Sequence, residues 1–467
     1  MKRKWLILSI VCLIMMAMMT CYAAGFERIT GIWDAVHLGA LFTLVYAVTL
    51  ILFTKMNRCS ILQLIFVSLF VGLSMMARLT MLDYNSADYD SFLMQWVEQF
   101  RTGGFKMLGE NVGDYNLLYQ YILLLVSKSP LHDLYMIKYV TIVFDYALAL
   151  AMMRAAGIFC SERARLPVFL ILTVLPTTLL GGSFWGQCDS VYAFLVIMCL
   201  CDLKTVHPCR SAAFLSLAFA FKLQTIFIFP VVLLALIHKE YKIRHAAVFA
   251  LVYLLTMVPA LAAGRSFIDA ISVYASQSIG QYYHRLTYNA PNLYIFFPMV
   301  EFASTYEYTW MRYIKGIEAE YTNPYLTKDL FPTIQTATLY ACILLTLLVV
   351  IYWLRHKEEI TPEMTLRFAL FFAIFLPFVM PKIHDRYFYL ADMLSILYAF
   401  RYKKRGYVPA LVIGASFMSY MVFLTRQRPV DERVLALMMF AALLIVAHDL
   451  LSEMRNNRKV LQGGKMV

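Results

Sequence analysis

Charge is what this 467-residue chain has little of: Asp, Glu, Lys and Arg together make up 15% of it, against about 25% in an ordinary soluble domain. With 61% hydrophobic residues and a mean hydropathy of +0.67, that shortage excludes a water-soluble globular protein. Its nine cysteines form no CxxC pair and no Cys/His cluster of metal-ligand spacing. Most of them, such as Cys12, Cys199 and Cys342, lie inside apolar runs, as core or lipid-facing thiols do. No internal repeat, low-complexity tract or separate soluble domain stands out. The formal charge is +12, yet Lys and Arg fall in short clusters between apolar runs and form no continuous stripe. That pattern argues against a nucleic-acid partner and for membrane topology.

What is present is a series of apolar runs, read as an all-α polytopic membrane protein of about 14 transmembrane helices, one integral-membrane domain over 1–467. Lys2, Arg3 and Lys4 precede an apolar run at 5–24, either a cleaved signal peptide or a retained first helix. Basic clusters at Lys55, Arg154, Lys204, Lys239, Arg355 and Lys403 mark the cytoplasmic side, with both termini there. The run at 117–126 is too short to span and reads as an interfacial or re-entrant helix. A single crossing over 212–237 would put the charges of 238–245 outside, so two short helices meeting at Lys222-Leu-Gln224 are expected.

In this topology the polar segments gather on the extracytoplasmic side, chiefly in a first loop at 78–133 and a second at 265–332. Connections between neighbouring elements are usually about 4 to 6 residues, so a loop as long and acidic as the first has work beyond linking. It carries Asp88, Asp90, Trp96, Asp114 and Tyr115; later come Trp185-Gly-Gln-Cys-Asp-Ser190, Lys222 with Gln224, His284-Arg285, and His384-Asp-Arg386. Ionisable groups at membrane depth or edge are costly, which makes a functional site the default reading. A carboxylate there can act as general base toward a hydroxyl, while Lys222, Arg285, His384 and Arg386 can hold a phosphate. Trp96, Trp185 and Tyr283 suit stacking on sugar rings, or belong to an interfacial aromatic belt. Each residue also has a plainer reading. Asp88 or Asp90 can cap a helix beginning near Ser91, His384 and Arg386 can snorkel at a helix start, and Asp189 can simply pair with Lys222.

The motifs resemble those of the GT-C glycosyltransferases that draw sugar from polyprenyl-phosphate donors. Asp88-Tyr89 followed by Trp96, then Asp114-Tyr115-Asn-Leu-Leu-Tyr119, is similar to the first loop of the endoplasmic-reticulum glucosyltransferases that use dolichol-phosphoglucose. Two departures stand out: the Asp88 to Trp96 spacing is one residue longer, and Leu117 and Leu118 replace two prolines. Trp185-Gly-Gln-x-Asp-Ser190, Lys222-x-Gln224, Asn289-Ala-Pro-Asn292 and His384-Asp-Arg-Tyr-Phe388 resemble the bacterial relatives.

The resemblance implies a hexosyltransferase of the bacterial plasma membrane that moves sugar, with inversion, from an undecaprenyl-phosphate-type donor. The acceptor would be a hydroxyl of a lipid-linked glycan or cell-envelope polymer at the extracytoplasmic face. Asp88 would be the base, with Asp90 its fallback; Lys222, Arg285, His384 and Arg386 would bind the donor phosphate. Trp96, Tyr115, Trp185, Gln187, Asp189, Gln224, Asn289 and Asn292 would contact sugar or acceptor. The lipid-phosphate sugar is a substrate, so no cofactor is expected and no divalent metal. Rival readings are a transporter or flippase of a lipid-linked or anionic solute, whose broken helices would line a path, and a glycan ligase or polymerase.

Overall fold

The computed structural model describes residues 2–275, 286–296, 330–354, 361–425 and 427–463. The chain forms two compact units: Met1–Ile226, Lys239–Gln277 and Phe400–Lys403 make the first, and Phe227–His238, Ser278–Ala399 and Lys404–Val467 the second.

In the first unit α1 (Lys2–Ala23), α2 (Ile32–Met56) and α3 (Ile61–Leu79) pack together, α3 opening on a capping box between Ser60 and Gln63. Four short helical pieces follow within the 78–133 loop. They are a π-helical turn (Tyr89–Leu93), α4 (Met94–Gly103), a 3-10 turn (Gly104–Gly109) and α5 (Leu117–Val126). Then α6 (Asp133–Phe159) runs through the middle of the unit, packed on α2, α7 (Arg165–Val174) and α9 (Asp189–Lys204). Between α7 and α9 lies α8 (Pro176–Trp185), bent 42° from the helix before it. The unit is completed by α10 (Pro208–Phe221), α12 (Ile243–Ala262) and α13 (Phe267–Ile271).

In the second unit α11 (Phe229–Ile237) packs on α14 (Leu330–Leu354) and α15 (Pro362–Val379). Next come α16 (Tyr389–Arg401), α17 (Tyr407–Thr425) and α18 (Glu432–Gly463), with α18 against both α15 and α17. Two two-residue strands, β1 (Thr287–Tyr288) and β2 (Ile383–His384), form a parallel pair in this unit.

The protein is therefore helical, as its composition requires, and it is an integral membrane protein. Among the described residues eight helices are long and apolar enough to cross a membrane, nine if the bent α7/α8 pair is one span. Their outward faces fit that reading. In the most hydrophobic stretch of α12 only 17% of residues are buried, and Leu251, Leu254, Leu255 and Val258 are exposed. An uncovered apolar face of that extent marks contact with lipid. The sequence count of about 14 spans includes α9, α10, α11 and α16, which are 16, 14, 9 and 13 residues long. All four fall short of the roughly 20 residues that a perpendicular crossing takes.

The α7/α8 bend has an identifiable cause. Pro176 has no N–H to continue the ladder, and Leu175 before it turns extended (φ −61°, ψ 128°). The freed carbonyl of Thr173 receives Arg78 Nη1 at 2.6 Å, while Arg78 Nε pairs with Asp145 at 3.4 Å and the guanidinium lies 4.9 Å over the Tyr146 ring. Arg78 and Asp145 are both buried. Removing either partner would strand a charge in an apolar interior, a loss of about 3–5 kcal/mol.

Candidate functional site

Asp88 sits at the start of the π-helical turn, yet its side chain makes no cap hydrogen bond. Ser86 does that work: its Oγ accepts from the Tyr89 amide at 3.2 Å and donates to the Trp185 carbonyl at 2.9 Å. The Asp88 carboxylate instead receives Trp185 Nε1 at 2.8 Å and Gln187 Nε2 at 2.6 Å, both on Oδ2. A carboxylate only accepts, so the Gln187 amide must turn its nitrogen toward Asp88 and leave Oε1 for the Tyr115 hydroxyl at 3.2 Å. Trp185 and Gln187 are buried while Asp88 is half-buried. The capping reading of Asp88 thus gives way to a carboxylate oriented by two donors. Asp90, two residues on, is exposed.

The turn that presents Trp185 and Gln187 depends on Gly186, which adopts φ +82° and closes the end of α8. A side chain there would be strained by conformation alone. On the loop side, Gly113 (φ +69°) lies under the Trp96 indole, where an added Cβ would stand 2.6 Å from the ring. Trp96 in turn meets Tyr115 edge-on at 6.0 Å, and Tyr115 packs on Tyr119 at 4.5 Å. Trp96, Tyr115, Trp185, Gln187 and Asp88 therefore form one continuous assembly.

Lys222 lies at the break expected between α10 and the following turn, with extended backbone (φ −151°, ψ 133°). Its ammonium pairs with Asp189 at 2.6 Å, and the rings of Tyr115 and Tyr192 stand 5.8 and 5.9 Å from it. Both ions are buried, so the Lys222 charge is met inside the protein. Gln224 is buried as well, and its Oε1 has no hydrogen-bond partner among the described residues. An unpaired buried acceptor is uncommon enough to point toward water or a bound group.

One residue that positions this assembly escapes the sequence reading. Lys138, fully buried in α6, donates to the carbonyls of Met81 (2.7 Å), Leu82 (3.0 Å) and Tyr84 (2.7 Å). Three donors meet three carbonyls, which pins the chain that leads into Ser86 and Asp88. Its stem passes under Gly186, with Cγ 3.6 Å from where a Cβ would be, so one side chain supports both the loop and the Trp185–Gln187 turn. Tyr84 stacked on Phe184 adds a second tie. The signal was available: Lys138 and Asp145 are ionisable residues inside an apolar run, the class of position that rarely lacks a purpose.

In the second unit the β1–β2 pair brings Asn289 to His384. Thr287 opposes Ile383, Tyr288 opposes His384, and Asn289 bridges His384 with φ +54°. The Tyr288 and His384 rings stack at 4.5 Å. Asn292 is wholly buried, with Oδ1 accepting from the Tyr294 amide at 3.1 Å and Nδ2 donating to the Pro377 carbonyl at 3.5 Å. With the Tyr294 hydroxyl on the Val379 carbonyl at 2.8 Å, it closes the end of α15, whose last carbonyls have no partner within the helix. Asp385 accepts from the Arg386 amide at 2.8 Å, a local turn contact. Tyr283, His284 and Arg285 lie outside the described residues.

Among the described residues no three His, Cys, Asp or Glu stand together as metal ligands. No protein-family model matches the chain, and no curated protein matches it.

Proposed function

We propose that the protein is a membrane glycosyltransferase of GT-C type, moving a sugar with inversion from an undecaprenyl-phosphate-type donor to an acceptor hydroxyl at the extracytoplasmic face of the plasma membrane. The observation that carries the reading is the Asp88 carboxylate, released from capping and oriented by Trp185 and Gln187. A carboxylate so held can take the acceptor's proton as its oxygen attacks the anomeric carbon from the face opposite the leaving lipid phosphate. Two bonds to Oδ2 fix the orientation of the proton-accepting group before substrate arrives, which is how positioning lowers a barrier.

Donor-phosphate contacts are assigned to His384, Arg386 and Arg285, whose N–H donors and guanidinium charges would stabilise the departing anion. Lys222 takes a different part: paired with Asp189, it braces Tyr115 and Tyr192, and Gln224 offers its unpaired oxygen to a sugar hydroxyl. The finer topology, about 14 crossings with the 78–133 and 265–332 loops outside and their short helices at the interface, belongs to this proposal.

The same buried Lys222–Asp189 pair at a helix break favours a second reading, transport of a lipid-linked or anionic solute. Purified protein incubated with undecaprenyl-phosphate hexoses distinguishes the two, because an enzyme releases lipid phosphate whereas a carrier moves donor intact. Sidedness is tested by placing single cysteines at Asn85 and Lys404 in a cysteine-free background. An impermeant thiol reagent on intact cells should label the first and spare the second; the reverse would invert the topology.

A further inference from the structure

In the first unit α10 and α12 run side by side in the same direction. The Tyr241 hydroxyl, just before α12, is hydrogen-bonded to Ser211 near the start of α10. Further along, Ser216 Oγ donates to the Phe249 carbonyl at 2.8 Å, and the Phe219 and Tyr253 rings meet at 5.4 Å. Both helices therefore begin at one end of the unit, and the acids at that end are already matched. Asp202 takes Arg154 at 2.6 Å and Arg210 at 3.0 Å, while Glu240 takes Lys204 at 2.6 Å. Lys239, Lys242 and Arg244 remain: all three are exposed, and among the described residues none of them has an acidic partner. Their charges do nothing for the helix they precede. A helix dipole favours acids in the first turn, and the first turn of α12 has none.

The same end of α12 opens a lipid-facing stripe. Ile243, Ala247, Leu251, Leu254 and Val258 are all exposed and recur at the i, i+4, i+8, i+11, i+15 spacing of one helix face. At 1.5 Å per residue the stripe is about 22 Å long, more than the roughly 15 Å that one leaflet contributes to the hydrocarbon core. Arg244 stands at i, i+7, i+11 with the exposed Leu251 and Leu255, on the flank of that stripe. The helix is 20 residues long, about what a crossing takes, so cations at its first residues lie at the depth of lipid headgroups. From this we infer that the start of α12 holds an anionic phospholipid, its phosphate among Lys239, Lys242 and Arg244 and an acyl chain along the stripe. A zwitterionic lipid would bring its own cation against three more. A soluble phosphate would meet the charges but leave the apolar stripe uncovered. The inference uses only the membrane character of the chain and is independent of its enzymatic reading.

The test uses the full chain, in a cysteine-free background, in phosphatidylcholine nanodiscs. A bimane fluorophore on Leu251→Cys reads lipid on the stripe, and one on Leu73→Cys, exposed on α3, reads bulk lipid. Nitroxide-labelled phosphatidylglycerol or phosphatidylcholine is then titrated in, and quenching is followed. A cation at the membrane surface is worth about fivefold in affinity for anionic lipid, so the phosphatidylglycerol probe should half-quench Leu251→Cys at roughly a hundredth of the phosphatidylcholine concentration. At Leu73→Cys the two probes should match. Lys239→Gln with Lys242→Gln and Arg244→Gln, all at exposed positions, should abolish the preference. Lys239→Arg with Lys242→Arg and Arg244→Lys should keep it. Equal quenching by the two lipids at Leu251→Cys, or a preference that survives the loss of all three cations, overturns the inference. So does loss of the preference on adding millimolar glycerol phosphate, which would make this a site for a soluble anion.

Discussion

Asp88 and His384 sit in polar segments that read alike in the sequence, each an ionisable residue beside aromatics at the edge of an apolar run, but the two units hold them by different means. Around Asp88 the bonds run from side chain to side chain and converge on one carboxylate oxygen: Trp185, Gln187 and, through Gln187, Tyr115. Around His384 the backbone does most of the holding, through a parallel strand pair, and the conspicuous polar side chain, Asn292, is consumed in closing a helix. The difference teaches that a polar residue in a membrane protein is informative about chemistry only once its hydrogen bonds have been followed. Asn292 spends its amide on closing a helix, whereas the half-buried Asp88 carboxylate receives the side chains of Trp185 and Gln187.

The largest expected effect separates the two regions most cleanly. Asp88→Asn preserves size and removes the proton acceptor, so turnover should fall by about a hundred- to ten-thousandfold. Thermal unfolding of the purified protein should stay near wild type, since the side chain caps nothing. A variant that kept its transfer rate would end the catalytic assignment of this assembly. Lys138→Met comes next. It leaves three carbonyls without their cation, and stability should fall by about 3 kcal/mol, read as a lower unfolding temperature. A change in the Trp185 indole N–H resonance would accompany it if the Asp88 contact loosens. An unmoved indole signal in a folded variant would mean that Lys138 supports the loop without setting the Trp185–Asp88 geometry.

Arg386→Ala addresses the second unit as a phosphate site. Loss of a charge-assisted contact is worth about 1.5–3 kcal/mol, so donor use should weaken by roughly ten- to a hundredfold with the fold intact. Titration of the donor against initial rate gives the answer, and an unchanged donor KM would remove Arg386 from the site. The smallest effect on activity is expected from Asn292→Ala. It should cost about 1–3 kcal/mol of stability by leaving helix-end groups unpaired, while transfer per folded molecule stays the same. Loss of turnover without loss of stability would reverse the comparison and return Asn292 to substrate contact.

Several parts of the site were legible in the chain because local chemistry signals them. The break at Lys222 followed from charge placement, and the extended backbone there agrees with it. The left-handed cap at Gly186 was not read from the chain, although a glycine after an apolar helix is its usual signal. Lys138 and the Arg78–Asp145 pair were passed over, because each lies in or beside a run whose other residues dominate any hydropathy average. Their partners are backbone carbonyls or residues far away in sequence, which no local pattern names. The β1–β2 pair was invisible for a related reason: two strands of two residues each have no periodicity to detect.

The sequence by itself determined that this is a helical membrane protein, since an apolar excess of this size can be accommodated only by lipid and by helices that satisfy their own backbone. It also determined which few polar residues had to be explained. Only the tertiary structure decided what each of them does, because hydrogen bonds are directional and short. Whether Asp88 caps its own helix or receives Trp185 and Gln187 depends on a packing of distant segments, the donors lying 97 and 99 positions from the acceptor along the chain. Hydropathy, which is additive along the chain, carries no information about that meeting.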